Sequence, residues 1–335
     1  MLKNANNTIK ITDTIAVKNI ASFIVSNLYK QYFLDIPMQS VKITFLGTGS
    51  AIPTKERNHS SILVSFANEN IIIDCGEGTQ RQLRKANISP TKITKILLTH
   101  WHGDHILGIP ALLQTLGMLN YSGTLKIYGP KGTKHFMKII ENLLRYINIK
   151  LEIHEVSGKF INQKDFFIDA APMLHGIPAN AYSIVFKDKV RLDRNKIKKL
   201  KLPNSPLLGK LQAGKDIMYN SKKIKSSQVA YLEKGKKITF VLDTLMNNNA
   251  IKLAKNSDIL ITESTFLSKD AARAKEDLHL TASQAATIAK KSKSKKLILT
   301  HFSQRYGNNL KPFEVEAKKI FKNVKIVKDL DSVTI

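Results

Sequence analysis

The segment that most constrains this chain is the hexapeptide His100-Trp101-His102-Gly103-Asp104-His105, which follows the apolar run Ile96 to Thr99. Buried His and Asp side chains are costly unless each has a hydrogen-bond or metal partner. The apolar run predicts a buried strand with a helix after the hexapeptide, so the hexapeptide occupies a strand-to-helix loop, where functional residues concentrate. Imidazole and carboxylate ligands suit zinc or a similar borderline ion. Four such ligands exceed what one open catalytic ion takes, which indicates two metals.

The composition limits where the protein works and what can build a metal site. The chain has 335 residues, 43% of them hydrophobic, and no apolar stretch approaches the length of a transmembrane helix, so we expect no membrane partner. The single cysteine, Cys75, excludes an intramolecular disulfide and fits a reducing compartment, so we expect a cytoplasmic protein. With one cysteine, a metal site here must use His and carboxylate ligands.

The charge of the chain is strongly positive. Lys and Arg total 53 against 26 acidic residues, a net charge of +27. The segment 187–237 holds 16 of these basic residues and only 4 acidic ones. Such a concentration favours a dedicated surface for a polyanion over a uniform lysine bias, although a solvated charge run is the competing interpretation.

The chain divides into an N-terminal extension, a core and an insertion. Residues 1–37 are expected to be accessory, because a clean strand pattern begins only after Met38. The catalytic domain is expected to span 38–335, with a basic inserted arm at about 190–236. Proline and glycine residues interrupt regular structure in that arm: Pro203, Pro206, Gly209 and Gly214.

Hydrophobic periodicity predicts an α/β protein in which two sheets pack together with helices outside. Strands are predicted at 41–46, 61–66, 70–74, 95–99, 124–128, 151–156, 166–172, 181–186, 238–242, 258–262, 296–300 and 324–328. Helices are predicted at 77–86, 104–119, 133–145, 247–255, 282–291 and 312–321.

Three more polar residues follow apolar, strand-like runs: His175, Asp243 and His301. Each alone is more often a capped or solvated residue than a ligand, but together with the hexapeptide they offer seven ligands. One ion is expected on His100, His102 and His175, and another on Asp104, His105 and His301, with Asp243 bridging both. Two ions a few ångströms apart can clamp the attacking and leaving oxygens of a phosphoryl displacement.

Several motifs in this order carry a family resemblance from Val41 to the C-terminus. They are Phe45–Pro53 with Lys55, Arg57 and Asn58, then Ile73–Gln80, the hexapeptide, Tyr128–Gly132, His175-Gly176, Asp243-Thr244, Thr262–Phe266, His279 and Thr300-His301. With them the chain resembles the ribonuclease Z family, the tRNA 3′-processing endonucleases of the metallo-β-lactamase fold.

The resemblance implies a four-layer αβ/βα sandwich, two zinc ions, and removal of the 3′ trailer from precursor tRNA. The products would be a tRNA with a 3′-hydroxyl and a trailer with a 5′-phosphate. Asp104 would bind metal and orient the attacking hydroxide. His279 would donate a proton to the leaving oxygen, and Glu263 would hold its imidazole.

The resemblance also implies that the basic arm grips the tRNA, often across a homodimer. Lys55, Arg57 and Asn58 offer donors for substrate phosphates beside the site. Two alternatives remain open from the sequence: a sister metallohydrolase acting on a small phosphodiester or ester, and a noncatalytic RNA-binding protein on the same fold. The arm and the His279 segment disfavour the first, and the complete ligand set disfavours the second.

Overall fold

The computed structural model describes residues 40–144 and 148–335. The expected accessory segment 1–37 and its boundary at Met38 lie outside the described residues. The described residues form two compact units. Residues 190–233 are one of them, called the arm unit below. The other, the larger unit, contains the hexapeptide and the remaining described residues.

Within its described residues, the larger unit contains two seven-stranded sheets. The first sheet has the order β18-β1-β2-β3-β4-β5-β6, with strands β1 Lys42–Gly47, β2 Ser61–Phe66, β3 Glu69–Ile73, β4 Lys95–Leu97, β5 Thr124–Gly129, β6 Lys150–Glu155 and β18 Ser332–Thr334. The second has the order β17-β16-β15-β14-β9-β8-β7, with strands β7 Gly158–Asn162, β8 Phe166–Pro172, β9 Asn180–Phe186, β14 Lys237–Val241, β15 Ile259–Glu263, β16 Leu297–Thr300 and β17 Val324–Ile326.

Alternating side chains of these strands build three apolar layers, as the period of two in a strand requires. Ile43 and Phe45 of β1 pack between the two sheets, whereas Leu46 packs on the outer face of the first sheet. Ile298 of β16 likewise faces the space between the sheets, and Leu297 faces outward.

The two outer layers are filled by helices. In chain order the helices of the described residues are α1 Thr79–Lys85, α2 Gly103–Ile106, α3 Gly108–Met118, α4 Thr133–Leu143, α5 Arg194–Lys199, α6 Pro206–Gln212, α7 Ser226–Val229, α8 Asn248–Leu253, α9 Ala271–Glu276, α10 Ala282–Lys291 and α11 Lys311–Lys318. Helices α1, α3 and α4 cover the first sheet, and α8, α10 and α11 cover the second. The predicted two-sheet sandwich with outer helices is confirmed.

The helix predicted at 104–119 is divided into α2 and α3 around Leu107. Gly108, the first residue of α3, donates its N–H to the Cys75 carbonyl at 2.9 Å. A Cβ at Gly108 would lie 2.0 Å from the Gly76 carbonyl oxygen, so only glycine permits this backbone approach. The contact fixes the loop that carries the hexapeptide against the segment after β3.

The arm unit contains more regular structure than its sequence predicted. It holds α5, α6 and α7, and two small sheets that pair β10 Lys189–Leu192 with β13 Ala230–Glu233 and β11 Ile217–Tyr219 with β12 Lys222–Ile224. Pro206 begins α6, where a missing N–H costs nothing, so it starts a helix and does not interrupt one. The arm unit has an apolar core of its own, made of Leu202, Leu208, Leu211, Ile217, Ile224 and Val229.

Among the helices of the described residues, none has both the length and the apolar character to cross a membrane.

Candidate metal centre

The candidate site lies in the larger unit, where several strands end. His100 follows β4, His175 follows β8, Asp243 follows β14 and His301 follows β16, while Glu263 is the last residue of β15. Strands β14, β15 and β16 run parallel. Their carboxyl ends therefore meet at one edge of the second sheet, which is where α/β sheets bind ligands.

Three imidazoles and one carboxylate converge in a first cluster. His100 Nε2 lies 3.0 Å from His102 Nδ1, which lies 3.1 Å from His175 Nε2. Asp243 Oδ2 lies 3.5 Å from His100 Nε2. One ligand atom from each of the four residues lies within 4.8 Å of the others, so all four surround one point.

A second cluster consists of Asp104, His105, His301 and again Asp243. His105 Nε2 lies 3.2 Å from Asp104 Oδ2 and 3.3 Å from Asp243 Oδ2. His301 Nε2 lies 3.2 Å from His105 Nε2 and 3.3 Å from Asp243 Oδ1. The structure thus brings all seven candidate ligands together in the two groups expected from the sequence, with Asp243 common to both.

The chemistry of these residues fits a metal cofactor. Asp243 Oδ1 is buried, yet it accepts no hydrogen bond from any described residue. A buried carboxylate oxygen without a donor is unstable unless a cation satisfies it. Imidazole nitrogens also face one another at 3.0 to 3.2 Å, and a shared cation removes the repulsion between their lone pairs. Nitrogen and carboxylate donors in this mixture suit zinc or a similar borderline ion.

The ligand imidazoles are oriented by a carboxylate that sequence reasoning placed in a motif without giving it a role. Asp74 accepts a hydrogen bond from His105 Nδ1 at 2.7 Å and another from the Thr99 hydroxyl at 2.7 Å. The Thr99 oxygen in turn lies 3.0 Å from His100 Nδ1. The Asp74 carboxylate therefore orients one candidate ligand in each cluster, His105 directly and His100 through Thr99, so that the Nε2 atom of each ring faces its cluster. Its position, directly after an apolar strand and before Cys75-Gly76, is the signal that would have identified it.

Burial and neighbouring charges shift the pKa values of these groups. Burial lowers the pKa of His100 well below its ordinary value, and His105 beside it lowers that pKa further. Burial alone would raise the pKa of Asp243, but the surrounding imidazoles, His301 foremost, hold it well below its usual range. Neutral imidazole and ionised carboxylate are the forms that bind metals, and His100 and Asp243 are held in those forms.

Burial alone would lower the pKa of His105, but the carboxylates of Asp243, Asp104 and Asp74 outweigh burial and raise that pKa well above its ordinary value, so His105 releases a proton when it binds a metal. By contrast, burial raises the pKa of the Cys75 thiol to about 12, so it stays protonated.

His279 lies beside the clusters and pairs with Glu263. Its Nδ1 lies 3.1 Å from each oxygen of the fully buried Glu263 carboxylate. Burial alone would lower the pKa of His279, but Glu263 and then Asp243 more than offset this and raise it to about 9. The ring is therefore protonated at neutral pH. Because Glu263 holds Nδ1, the proton available to a substrate is the one on Nε2.

The three residues expected to contact phosphates differ in exposure. Lys55 is exposed, whereas Arg57 and Asn58 are only 3% and 8% exposed. Asn58 Nδ2 donates to the Glu77 carbonyl at 2.6 Å, and its backbone N–H donates to Asp329 at 2.7 Å. Asn58 therefore stabilises its own loop, and Lys55 is the member of the set that projects into solvent. Phosphate binding by these residues stays a prediction.

The chain is similar over most of its length to ribonuclease Z proteins of archaea. It is 34% identical to ribonuclease Z of Methanosarcina mazei, over 87% of this chain and 96% of that protein. It is 39% identical to ribonuclease Z of Methanocaldococcus jannaschii, over 86% of this chain and 94% of that protein. The chain belongs to the ribonuclease Z family. The resemblance inferred from the motifs is therefore confirmed.

Solved structures place this ribonuclease Z family member in the metallo-β-lactamase fold. Human tRNase Z, short form, matches with a TM-score of 0.64 and 28% identity, over 87% of this chain and 98% of that one. The metallo-β-lactamase fold protein YhfI of Bacillus subtilis matches with a TM-score of 0.65 and 19% identity, over 89% of this chain and 100% of that one. A family model described as Anti-Pycsar protein Apyc1 also matches residues 41–191. The predicted fold is confirmed.

Proposed function

We propose that this chain is a metal-dependent endoribonuclease that removes the 3′ trailer from precursor tRNA. The observation that carries the proposal is the complete set of seven donor residues, gathered into two clusters that share Asp243, in a member of the ribonuclease Z family. A noncatalytic RNA-binding protein would have no need to keep every donor in place. A metallohydrolase of small esters would need the clusters but not the basic arm.

The cofactor proposed for this site is two zinc ions. His100, His102 and His175 would hold the first, Asp104, His105 and His301 the second, and Asp243 both. Two ions held by these residues would make hydroxide available at neutral pH and would stabilise negative charge on phosphate oxygens. The Asp104 side chain is 10% exposed. It would orient the attacking hydroxide by accepting a hydrogen bond from it.

His279 and Glu263 handle the leaving group. When the bond between phosphorus and the 3′ oxygen of the tRNA breaks, that oxygen gains negative charge and needs a proton. His279 donates it from Nε2, while Glu263 holds Nδ1 and stabilises the charged ring. The tRNA leaves with a 3′-hydroxyl, and the trailer keeps the phosphate at its 5′ end.

The proposed division of the chain assigns chemistry to residues 38–335 and tRNA binding to the arm at about 190–236. The arm unit presents a series of exposed lysines: Lys196, Lys198, Lys199, Lys201, Lys210, Lys215, Lys222, Lys223 and Lys225. Ammonium groups of this kind contact phosphates and position a folded RNA without reading its bases. Residues 1–37 stay an accessory segment in this proposal.

We also propose a homodimer in the cytoplasm. Helix α4 exposes Phe136, Ile139 and Leu143, which fall on one face of the helix because they are three and seven residues apart. Exposed apolar side chains grouped in this way are typical of an interface. Light scattering should give twice the subunit mass, and Ile139→Glu should reduce it to one subunit.

The buried, unpaired thiol of Cys75 agrees with a reducing compartment.

Cleavage of a 3′-extended tRNA precursor tests the proposed activity. The purified protein should release an intact trailer, and a chelator or Asp104→Ala should abolish the cut. Asp165→Ala, which removes an exposed carboxylate outside both clusters, should leave the rate unchanged. Binding of the precursor without any cleavage would contradict the proposal, as would cleavage that survives complete removal of metal.

A further inference from the structure

Thr265 lies two residues beyond β15 and contacts both a candidate metal ligand, His301, and Glu263, the carboxylate beside the proposed proton donor. Its hydroxyl oxygen lies 2.5 Å from Glu263 Oε2 and 2.9 Å from His301 Nδ1. The side chain is 3% exposed, so water does not compete for these contacts. Thr265 is therefore a direct link between a ligand of the second cluster and the carboxylate that holds His279.

The chemistry of the three groups fixes the direction of each hydrogen bond. A carboxylate only accepts, so the Thr265 hydroxyl donates to Glu263. The hydroxyl oxygen then accepts from His301 Nδ1–H, which leaves the lone pair of His301 on Nε2. That Nε2 atom is the one that lies 3.3 Å from Asp243 Oδ1 inside the second cluster.

Glu263 also accepts hydrogen bonds from two groups other than Thr265. Its Oε1 accepts the backbone N–H of Thr244 at 2.7 Å, and Thr244 directly follows Asp243. Both Glu263 oxygens lie 3.1 Å from His279 Nδ1. A single buried carboxylate is thus bonded to the acid, to the backbone beside the bridging ligand and, through Thr265, to His301.

We propose that Thr265 is a positioning residue that couples the second metal position to the proton donor His279. It holds His301 in the tautomer that binds metal, and it holds Glu263 in the orientation that receives His279. The proposal rests on the metal assignment made above. Loss of the hydroxyl leaves the His301 Nδ1–H and one Glu263 oxygen without this partner, and both groups are buried.

The chain offers a matched control three residues away, on β15. Thr262 is fully buried, and its Oγ1 has no hydrogen-bond partner within the described part of the chain. Thr262→Val therefore removes a buried hydroxyl that makes no hydrogen bond to the described residues. Thr265→Val removes one that contacts Glu263, His301 and, at 3.4 Å, His279 Nδ1. Thr265→Ser keeps the hydroxyl and should behave as the parent protein does.

The test measures zinc retention and kinetics on the purified, zinc-loaded full chain. Competition with a chromogenic chelator should show that Thr265→Val loses one zinc ion about 10- to 100-fold more readily, the usual effect of losing a contact that orients a ligand. On precursor tRNA, kcat should fall while KM stays within about twofold, because the arm unit is untouched. Thr265→Ser and Thr262→Val should retain both ions and full kcat.

His301→Ala separates this inference from the metal assignment beneath it. If His301→Ala loses a zinc ion but Thr265→Val does not, the role of Thr265 is wrong and the metal assignment stands. If His301→Ala retains both ions, the metal assignment itself is wrong. If Thr262→Val loses zinc as readily as Thr265→Val does, the effect is a general disturbance of this segment and the inference is overturned. Thermal melting of every variant measures that disturbance.

Discussion

The larger unit and the arm unit differ in how their sequences encode their roles. In the larger unit, seven donor residues form two clusters, and the ligand atoms of each cluster lie within 4.8 Å of one another. The arm unit has a core of six apolar residues and a surface of lysines. Metal and proton chemistry depends on geometry, whereas phosphate attraction depends on summed charge. Single substitutions should therefore abolish the first role and only weaken the second.

The largest effect is expected for Asp243→Ala, because Asp243 belongs to both clusters. Loss of metal binding removes several kcal/mol of transition-state stabilisation, so cleavage should fall at least about a thousandfold. The fall should be equal for precursor tRNA and for a bis(nitrophenyl) phosphate, and zinc content should drop with it. A variant that keeps cleaving the small diester would break the assignment of all chemistry to the clusters.

His279→Ala should give the next largest effect and should separate the two substrates. Loss of a general acid lowers kcat by about 10²- to 10⁴-fold when the leaving group needs a proton, as the 3′ oxygen of tRNA does. Nitrophenolate leaves without one, so the small diester should lose little. His135→Ala, an exposed histidine on α4, is the control and should cleave both substrates normally. Equal losses on both substrates would show that His279 supports the clusters and does not donate a proton.

The pH profile follows from the same residue. A proton donor works only while protonated, and the pKa of His279 is raised to about 9. The kcat for precursor tRNA should therefore hold through neutral pH and decline above about pH 9. Glu263→Gln removes the main charge that raises this pKa, so burial then lowers it and the decline should begin at lower pH. A decline at unchanged pH in Glu263→Gln would assign the alkaline limb to another group.

Neutralising lysines in the arm unit should have a moderate effect that depends on salt. The variant replaces four exposed lysines on or just after α5 by Gln: Lys196, Lys198, Lys199 and Lys201. KM for precursor tRNA should rise about tenfold at low salt and less at high salt. The kcat for precursor tRNA and cleavage of the small diester should not change. The control replaces four exposed lysines on or just after α11: Lys311, Lys318, Lys319 and Lys322. The same KM change in both variants would mean that total charge, and not the arm, binds the tRNA.

The smallest effect on cleavage is expected for Leu211→Ala in the core of the arm unit. The cavity should destabilise that unit by about 2 to 5 kcal/mol, because Leu211 is fully buried. Hydrogen exchange should become faster in residues 190–233 and stay unchanged in β14 to β16. Faster exchange in those strands as well would show that the two units unfold together and are not separate in stability.

The fold and the candidate ligands could be predicted from the sequence because both depend on local patterns. The apolar run before Asp243 predicted a strand at 238–242, and the structure has it at Lys237–Val241. The position of Asp74 after a strand marks it as a candidate, but the contacts of Asp74 and Thr265 could not be predicted, because they join residues 31 and 36 positions apart in the chain. The break between α2 and α3 has the same cause, since it follows from the approach of Gly108 to the Gly76 carbonyl.

The helices, strands and core of the arm unit could not be predicted for a different reason. Its helices and strands are only three to seven residues long, too short to show a period. Its lysines also dominate the composition, so the sparse apolar residues that form its core, such as Leu208 and Ile224, do not stand out.

Membership of Asp243 in both clusters has a consequence for how the site fills. If each cluster binds an ion, as proposed, the first ion uses the same carboxylate that the other cluster needs, and it also brings positive charge close to the second position. Occupancy of one position therefore changes the affinity of the other. A zinc titration of the metal-free protein should therefore not fit two independent sites. The protein with one ion bound should bind the second ion with an affinity different from that of the metal-free protein.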